Sequence, residues 1–231
     1  MAMNPSGSDR DDTTAARDII EDTPDIWGVD YSTDSETVER QYDDFARTGS
    51  YDETFAAWGY VGPETAAAIT LNYVPTDARV LDAACGSGLT GRALQRLGYR
   101  HLEGIDISYE LLAIARETGA YERLGRVDMQ DLPLPFDDDE FDAVSFIGAL
   151  TYFEDAGILE ELCRVVRPGG RVVFSQREDI MQRDHYESQL ARLEAAGTWR
   201  RVFGTEPMPY LPGHPEYGAD IQVRYFVYEV T

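Results

Sequence analysis

The sequence predicts an α/β fold, doubly wound, in which a mostly parallel sheet of seven strands carries helices on both faces. Three observations lead to this prediction. Short apolar runs alternate with segments of helical periodicity from about residue 78 onward. The first of these runs ends in the glycine-rich turn "DAACGSG". No run of 18 apolar residues occurs, so no membrane span is expected. Strands that alternate with helices imply right-handed crossovers between parallel strands.

Two helices are predicted ahead of the alternating region. The segment "SETVERQYDDFA" places Val38, Tyr42 and Phe45 at helical spacing from about Ser35 onward. After an aromatic linker, "GPETAAAITLNYV" predicts a second helix with a proline near its start, where a missing N–H does little harm. These helices form an N-terminal cap over about residues 35–75.

The alternating region reads as strand "ARVLDA", helix "LTGRALQRLG", strand "HLEGIDI" and helix "YELLAIARETG". A short strand "RVDM" and a strand "FDAVSFIG" follow, then a helix "GILEELCRVV" that stops at "RPGG". The last elements are strand "RVVFSQ", helix "HYESQLARLEAAG", and strands "WRRVFGT" and "IQVRYFVYEV". We therefore predict a single domain over residues 35–231, a length that suits one core.

Charge and cysteine content limit the partners and the cellular location that the sequence predicts. The chain has 43 acidic residues against 20 basic ones, for a net charge of −23, and every basic residue is arginine. This charge disfavours nucleic acid and anionic membranes as partners, although adaptation to a salty cytoplasm explains it equally well. Residues 1–34 are acidic and rich in Ser, Thr and Pro, which predicts a flexible tail. Cys85 and Cys163 are too few for a disulfide framework, and without a secretory signal a cytoplasmic location is expected. No metal site is predicted.

The glycine-rich turn indicates a nucleotide ligand, but its identity is ambiguous. Gly86, Gly88 and Gly91 spell G-x-G-x-x-G, and Asp106 ends the next strand 20 positions after Gly86, as in a nicotinamide-dependent oxidoreductase. Three details favour another nucleotide. Asp82 precedes the glycines, where a carboxylate can hold an ammonium group or fix the loop. Asp128 follows a third strand and can accept from an adenine amine. The absence of lysine excludes the Tyr-x-x-x-Lys pair of short-chain dehydrogenases.

Four ordered motifs, "VLDAACGSG", "GIDIS", "VDMQDLPLPFDDDEFDAV" and "RVVRPGGRVVFS", resemble class I S-adenosylmethionine-dependent methyltransferases, which have a Rossmann-like fold. The similarity covers about residues 36–230. Within the class, "QYDDFA", "DAACGSGLTGRAL" and "FIGALTY" are similar to the methyltransferase-like protein of the Williams–Beuren region and its microbial relatives. The resemblance implies S-adenosyl-L-methionine as the cofactor and methyl transfer as the activity.

The resemblance also implies roles for individual residues. The loop Ala84, Cys85, Gly86 and Gly88 would lie against the methionine part of the cofactor. Ala84 replaces the usual first glycine, and its methyl group is tolerated there if the residue keeps a negative φ. The rest of the site would hold ribose, adenine and the cofactor carboxylate through Asp106, Ile107, Asp128, Met129, Ile147, Tyr42 and Tyr51. Two alternatives stay open. Tyr42 is equally typical of a core position, and a strand-end turn residue is the less favoured alternative for Asp106.

The methyl acceptor is expected to be a small organic molecule, methylated by in-line transfer. Aromatic and polar residues from variable segments are the candidates for its pocket: Trp58, Tyr60, Tyr152, Phe153, Arg177, Trp199 and Tyr210. A catalytic base is needed only if the nucleophile arrives protonated, and the candidates are His185, His214 and Tyr152. A nicotinamide-dependent oxidoreductase and a non-catalytic S-adenosylmethionine-binding protein remain alternatives.

Overall fold

A computed structural model describes residues 29–154, 157–183, 186–215, 218 and 220–231. Residues 1–28, most of the predicted tail, therefore lie outside the described residues. Three helices precede the sheet, namely α1 (Ser35–Arg47), α2 (Tyr51–Ala57) and α3 (Gly62–Tyr73). The Asp34 carboxylate caps α1 by accepting the Thr37 N–H over 2.9 Å, which satisfies one of the amides that a helix start leaves free.

The predicted alternation of strands and helices is present. It runs through β1 (Arg79–Ala83), α4 (Leu89–Arg96), β2 (His101–Asp106), α5 (Tyr109–Glu117), β3 (Arg123–Arg126) and β4 (Phe141–Phe146). The second half contains a 3₁₀ turn at Leu150–Tyr152, α6 (Gly157–Val165), β5 (Val166–Arg177), α7 (Glu178–Arg183), α8 (Tyr186–Ala195), β6 (Trp199–Gly204), β7 (Met208–Pro209) and β8 (Gln222–Val230). Within the described ranges, no helix combines the length and apolar content needed to cross a membrane.

The strands form one sheet in the order β3-β2-β1-β4-β5-β8-β6, with the short β7 paired to β8. Strands β1 to β5 are parallel, whereas β8 runs antiparallel to both β5 and β6. Strand order reverses at β1, whose neighbours are β2 and β4. The sheet is thus doubly wound, as predicted, and ligands of such sheets bind beside the reversal at the carboxyl ends of the strands.

The core lies on both faces of the sheet. Leu81 and Val144 pack with α6 residues such as Leu162 on one face, whereas Val80 and Ala143 pack with α4 on the other. Successive strand residues therefore point to opposite faces of the sheet, and both faces are buried. This explains why the strands read as continuous apolar runs rather than as alternating ones.

Several elements differ from the prediction. The aromatic linker predicted after the first helix contains helix α2 (Tyr51–Ala57). The third strand covers residues 123–126 instead of 126–129, because its register with β2 pairs Arg126 with Asp106, where β2 ends. Asp128 consequently lies in the loop beyond the strand. The fifth strand begins at Val166, so the "RPGG" segment belongs to the start of β5.

Candidate functional site

A cavity enclosing about 710 Å³ opens at the carboxyl ends of β1, β2 and β4, beside the reversal of strand order. Its position is that of the ligand site in doubly wound sheets. The loop after β1, the loop after β2, the loop after β3, the end of β4 and helix α1 all contribute to its wall. The lining residues are Ser35, Val38, Tyr42, Tyr51, Ala84, Gly86, Asp106, Ile107, Leu111, Val127, Asp128, Met129, Gln130, Ile147, Gly148, Ala149, Tyr152 and Phe153.

The loop after β1 is held tightly by backbone hydrogen bonds. The Cys85 N–H donates to the Ile105 carbonyl and the Gly88 N–H to the Cys85 carbonyl, each over 2.9 Å. This turn holds Ala84 at a φ of 55°, so the condition of a negative φ is not met and the methyl group is accommodated in the left-handed region. A left-handed conformation costs a residue with a Cβ about 1–2 kcal/mol. The loop therefore stores strain at a residue that lines the cavity.

The three glycines of the motif have different roles. A Cβ on Gly86 would meet nothing closer than the Tyr51 hydroxyl at 3.8 Å, so Gly86 leaves room inside the cavity. A Cβ on Gly88 would lie 3.1 Å from the Tyr121 ring, and one on Gly91 only 2.2 Å from it. Gly88 and Gly91 thus permit close packing of α4 against Tyr121. Neither Gly88 nor Gly91 lines the cavity. The resemblance, by contrast, implied that Gly88 would lie against the methionine part of the cofactor.

Asp82 is a buried carboxylate beneath the loop rather than part of the cavity wall. The Tyr121 hydroxyl donates to its Oδ2 over 2.6 Å, and that hydroxyl in turn accepts the Gly91 N–H over 3.2 Å. Burial raises the pKa of Asp82 to about 7, against the opposing effect of the Tyr121 hydrogen bond. Of the two roles considered for Asp82, its contacts are those of a group that fixes the loop. Cys85 is also buried and does not line the cavity.

Asp106 joins the loops after β1 and β2. Its carboxylate accepts the Gly86 N–H over 2.8 Å and the Ser108 N–H over 2.9 Å, one on each oxygen. Burial raises its pKa, and hydrogen bonds from the backbone of Ser108, Gly86 and Ile107 oppose that shift. The residue lines the cavity, and a carboxylate has about four acceptor positions. Asp106 can therefore accept a hydrogen bond from a hydroxyl group of a ligand while keeping these loop contacts.

Asp128 lies on the wall that the loop after β3 contributes. One of its oxygens, Oδ1, accepts the Gln130 N–H over 2.9 Å, which orients the carboxylate. Ile107 and Met129 line the cavity beside it, and Met129 is buried. An apolar pair next to a fixed acceptor suits a flat heterocycle that carries an amine.

Side-chain hydrogen bonds join helix α1 to the loop after β2 and helix α2 to the loop after β1. The Ser108 hydroxyl donates to the Asp43 carboxylate on α1, and the Ser87 hydroxyl to the Asp52 carboxylate on α2, each over 2.5 Å. Both serines belong to loops that line the cavity. Ser108 also caps α5 by accepting the Leu111 N–H over 3.1 Å. The cap over the cavity is therefore joined to both loops through buried or partly buried carboxylates.

Further polar contacts from α1 reach the opposite rim. The Tyr42 and Tyr152 hydroxyls form a short hydrogen bond across the cavity. The Ser35 hydroxyl donates to the side-chain oxygen of Gln130 over 2.9 Å, and Gln130 donates to the Tyr152 carbonyl over 3.1 Å. Tyr51 lines the cavity next to Gly86 and packs 5.0 Å from the Phe45 ring. Tyr42 and Tyr51 thus combine aromatic packing with a position on the cavity wall.

The end of β4 separates the cavity from a second group of tyrosines. Gly148, with a φ of 77°, lines the cavity, and a Cβ on it would lie 3.3 Å from the Tyr60 hydroxyl and 3.4 Å from the Tyr210 hydroxyl. The Gly148 N–H donates to the Ser175 hydroxyl over 2.9 Å. The positive charge of Arg177 lowers the pKa of Tyr210, although burial raises it more. Tyr60 and Tyr210 therefore lie behind Gly148 without lining the cavity, and Arg177 does not line it either.

Three residues assigned to catalysis or to the acceptor pocket do not reach the cavity. Trp199 is buried in the main core, stacked 4.0 Å from the Tyr228 ring, because its strand position faces the helix layer. Trp58 is likewise buried, and its ring lies 4.6 Å from that of His214. These positions correct the assignments of Trp199, Trp58 and His214. His185 lies outside the described residues.

Sequence reasoning missed several residues of the site. Gly148 could be recognised as a glycine directly after a strand, but Asp43, Asp52 and Tyr121 act through contacts across long sequence separations. No local pattern marks such partners. The remaining residues that line the cavity without having been predicted to do so are Ser35, Val38, Leu111, Val127, Gln130 and Ala149.

Comparisons with known proteins agree with this geometry. Residues 81–174 match a family model described as a methyltransferase domain. Methyltransferase-like protein 27 of Homo sapiens is 34% identical over 156 residues, which cover 64% of this chain and 63% of that protein. A demethylmenaquinone methyltransferase of Clavibacter sepedonicus is 39% identical over 100 residues, or 42% of this chain and 40% of that protein. A solved structure of an S-adenosylmethionine-dependent methyltransferase from Methanosarcina mazei has a TM-score of 0.56 at 19% identity, covering 70% of this chain and 96% of its own.

The match of residues 81–174 to a methyltransferase domain, and the fold that the chain shares with solved methyltransferases, support a class I S-adenosylmethionine-dependent methyltransferase. The resemblance carried by the sequence motifs is thereby confirmed, including the similarity to methyltransferase-like protein 27. The matched segments span less than two thirds of either curated relative. S-adenosylmethionine is the cofactor that the family implies, and the cavity fits it. Gly86 leaves open space in the cavity, and the carboxylates of Asp106 and Asp128 can accept hydrogen bonds from hydroxyl and amine groups.

Proposed function

We propose that this protein transfers a methyl group from S-adenosylmethionine to a small organic acceptor. The observation that carries the proposal is that two carboxylates, Asp106 and Asp128, line the same cavity in which Gly86 leaves open space. Under this proposal Asp106 accepts the ribose hydroxyls, Asp128 accepts the adenine amine, and Ile107 and Met129 cover the adenine faces. The functional unit is the single domain over residues 35–231.

The remaining lining residues hold the methionine end and the acceptor. Tyr51, beside Gly86, is placed to donate to the cofactor carboxylate, and Ile147 offers backbone groups next to it. S-adenosylmethionine supplies an activated methyl group on a sulfonium, so the protein need only bind, align and exclude water. Tyr152 and Phe153, which line the same cavity, would orient the acceptor for in-line attack.

Calorimetric titration tests the cofactor assignment directly. Purified protein is titrated with S-adenosylmethionine, S-adenosylhomocysteine, NAD and NADP, in buffers with low and with molar KCl. The salt series ensures that a chain of charge −23 is measured in its folded state. Micromolar binding of the two adenosyl compounds, with none for the nicotinamide dinucleotides, is the expected result. Binding of NAD or NADP alone would overturn the proposal.

A matched pair of variants locates the binding site. Asp128→Ala should weaken binding of S-adenosylhomocysteine at least tenfold, since a charge-assisted hydrogen bond contributes about 1.5–3 kcal/mol. Asp131→Ala, three residues further along the same loop and exposed, should leave the affinity unchanged. Methyl transfer is tested separately, by release of S-adenosylhomocysteine in the presence of acceptor mixtures. Binding without release in any mixture would favour the non-catalytic alternative.

A further inference from the structure

The Tyr51 hydroxyl lies over the part of the cavity that Gly86 leaves open. Its oxygen is 3.8 Å from the place that a Cβ on Gly86 would take, and Tyr51 lines the cavity. Burial raises the pKa of Tyr51 well above its usual value, and the negative charge of Asp106 adds to this effect. The hydroxyl therefore stays protonated at neutral pH and can donate a hydrogen bond to an anionic group of a ligand.

Helix α2, which begins at Tyr51, has little support of its own. It has seven residues, and in the part of the chain that the structure describes its N-cap residue Ser50 forms no side-chain capping hydrogen bond. Isolated helices shorter than about 12–15 residues are marginal in water. The position of the first turn of α2, and with it that of Tyr51, therefore depends on contacts with the rest of the domain.

Asp52 joins the first turn of α2 to the glycine-rich loop. The Ser87 hydroxyl donates to Asp52 Oδ1 over 2.5 Å, and Asp52 Oδ2 lies 3.7 Å from a terminal nitrogen of Arg92 on α4. Ser87 is buried and directly follows Gly86 in the chain. One carboxylate thus contacts both the loop residue next to Gly86 and the helix that follows the loop.

Aromatic packing also holds the ring of Tyr51, but less narrowly. The ring centroid lies 5.0 Å from that of Phe45 on α1 and 4.9 Å from that of Phe55 on α2. Aromatic pairs are favourable over centroid distances of about 4.5–7 Å, whereas an O–H···O hydrogen bond needs about 2.5–3.0 Å between its oxygens. The contact between Asp52 and Ser87 therefore restricts the position of Tyr51 relative to the loop more closely than the ring contacts do.

Building on the proposed function, in which Tyr51 donates to the cofactor carboxylate, we propose that Asp52 is a positioning residue for this contact. Through Ser87, Asp52 keeps the Tyr51 hydroxyl over Gly86 and so makes the cavity selective for adenosyl ligands that carry an α-carboxylate. Asp52 is not one of the described residues that line the cavity. It acts through Tyr51 rather than on the ligand.

S-adenosylmethionine and decarboxylated S-adenosylmethionine are matched probes, because they differ only in the carboxylate. Each is titrated by calorimetry in molar KCl. Charges are screened beyond about 3 Å at this salt concentration, so the net charge of −23 no longer favours the decarboxylated compound, which is the more positive of the two. The original protein should bind S-adenosylmethionine at least tenfold more tightly, since the hydrogen bond to Tyr51 is charge-assisted. Equal binding of the two compounds would overturn the proposal.

Substitutions of Asp52 test its role in this preference. Asp52→Ala should weaken binding of S-adenosylmethionine about tenfold and leave binding of the decarboxylated compound unchanged, so that the preference is lost. Asp52→Asn should retain most of the preference, because the amide oxygen still accepts the Ser87 hydroxyl. Glu53→Ala, which removes the exposed acidic neighbour in the same turn, should change neither affinity. A preference that survives in Asp52→Ala would contradict the positioning role.

A double variant separates positioning from a general loss of structure. Because Asp52 acts through Tyr51, adding Asp52→Ala to Tyr51→Phe should cost no further selectivity, whereas additive losses would refute the proposal. Ser87→Ala changes the loop side of the contact and should lower the preference as Asp52→Ala does, which keeps the test decisive even where Asp52→Ala does not fold. Failure of the proposed function has a different signature, since neither adenosyl compound would then bind the original protein.

Discussion

The Ser108 hydroxyl donates to the Asp43 carboxylate over 2.5 Å and thereby joins helix α1 to the cofactor loop after β2, across 65 residues of sequence. Asp43 is buried, and its Oδ1 also accepts the Glu110 N–H over 3.2 Å. The same serine donates its N–H to Asp106, so the cap and the proposed ribose carboxylate share one residue. The position of α1 over the cavity and the orientation of Asp106 are therefore coupled.

Replacing Asp43 should weaken cofactor binding although Asp43 does not line the cavity. Asp43→Ala removes the acceptor of a buried, charge-assisted hydrogen bond, which contributes about 1.5–3 kcal/mol. We expect S-adenosylhomocysteine affinity to fall about tenfold or more, and amide hydrogen exchange in α1 to accelerate. Asp44→Ala is the matched control, because Asp44 is the exposed neighbour on the same helix and pairs only with Arg47 in the contacts described. Equal effects of the two variants would show that the coupling is absent.

Substitutions of Gly86 and Gly91, two glycines of the motif, should have different effects on cofactor affinity and on stability. Gly86→Ala places a methyl group in the open space of the cavity, so it should reduce the affinity for S-adenosylhomocysteine strongly. Because φ at this position is 54°, the alanine should also lower the free energy of unfolding, by only about 1–2 kcal/mol. Gly91→Ala forces a Cβ against the Tyr121 ring, so it should lower the thermal midpoint more than it changes the affinity of the folded fraction. Calorimetry and thermal unfolding of both variants check the contrast. A Gly86→Ala protein with unchanged affinity would contradict the site assignment.

Much of the fold and part of the site could be predicted from the sequence because their signals are local. Apolar runs identify buried parallel strands, and a glycine turn followed by Asp106 at a strand end identifies the loops at the edge of the sheet. The register of the third strand is not local. It depends on pairing with β2, which places Arg126 opposite Asp106 and moves Asp128 into a loop.

Side-chain partners were harder to predict than backbone positions. Trp199 looked like an acceptor residue because aromatic residues are common in such pockets, yet its strand register turns the ring into the main core. The Tyr121 hydroxyl donates to Asp82 across 39 residues of sequence, and no local sequence pattern predicts that contact. Ala84 adopts a positive φ because the hydrogen bonds of the loop require it, whereas its residue type favours a negative one.

The strain at Ala84 predicts that a glycine there stabilises the protein. Ala84→Gly relieves about 1–2 kcal/mol of left-handed strain and costs about 0.4–1 kcal/mol through the greater freedom of the unfolded chain. We expect a net gain of up to about 1.6 kcal/mol in the free energy of unfolding, measured by denaturant titration. Ala83→Gly, one residue earlier and fully buried in β1, should instead be destabilising. A destabilised Ala84→Gly protein would show that packing of the methyl group outweighs the strain.

Asp82 should give the protein a characteristic pH dependence. Burial raises the pKa of Asp82 to about 7 in the folded state, from 3.8 when the group is unperturbed. Between these pH values the folded chain keeps a proton that the unfolded chain has lost. The stabilising contribution of the protonated group is thus fully present below about pH 4 and is lost as pH rises through about 7, with a slope of at most about 1.4 kcal/mol per pH unit.

Asp82→Asn isolates this contribution because the amide oxygen still accepts the Tyr121 hydroxyl but the group no longer titrates. The free energy of unfolding of the variant should depend less on pH between about 4.5 and 7.5, and its gain over the original protein should be largest at the upper end of that range. Asp106, whose pKa burial also raises, contributes with the same sign in both proteins, and the loss of its repulsion with the Asp82 carboxylate forms part of the difference. Asp77→Asn, an exposed turn residue, serves as the control for general charge repulsion. Parallel stability curves for Asp82→Asn and the original protein would show that the Asp82 carboxylate is ionised throughout the range, with a pKa near its ordinary value.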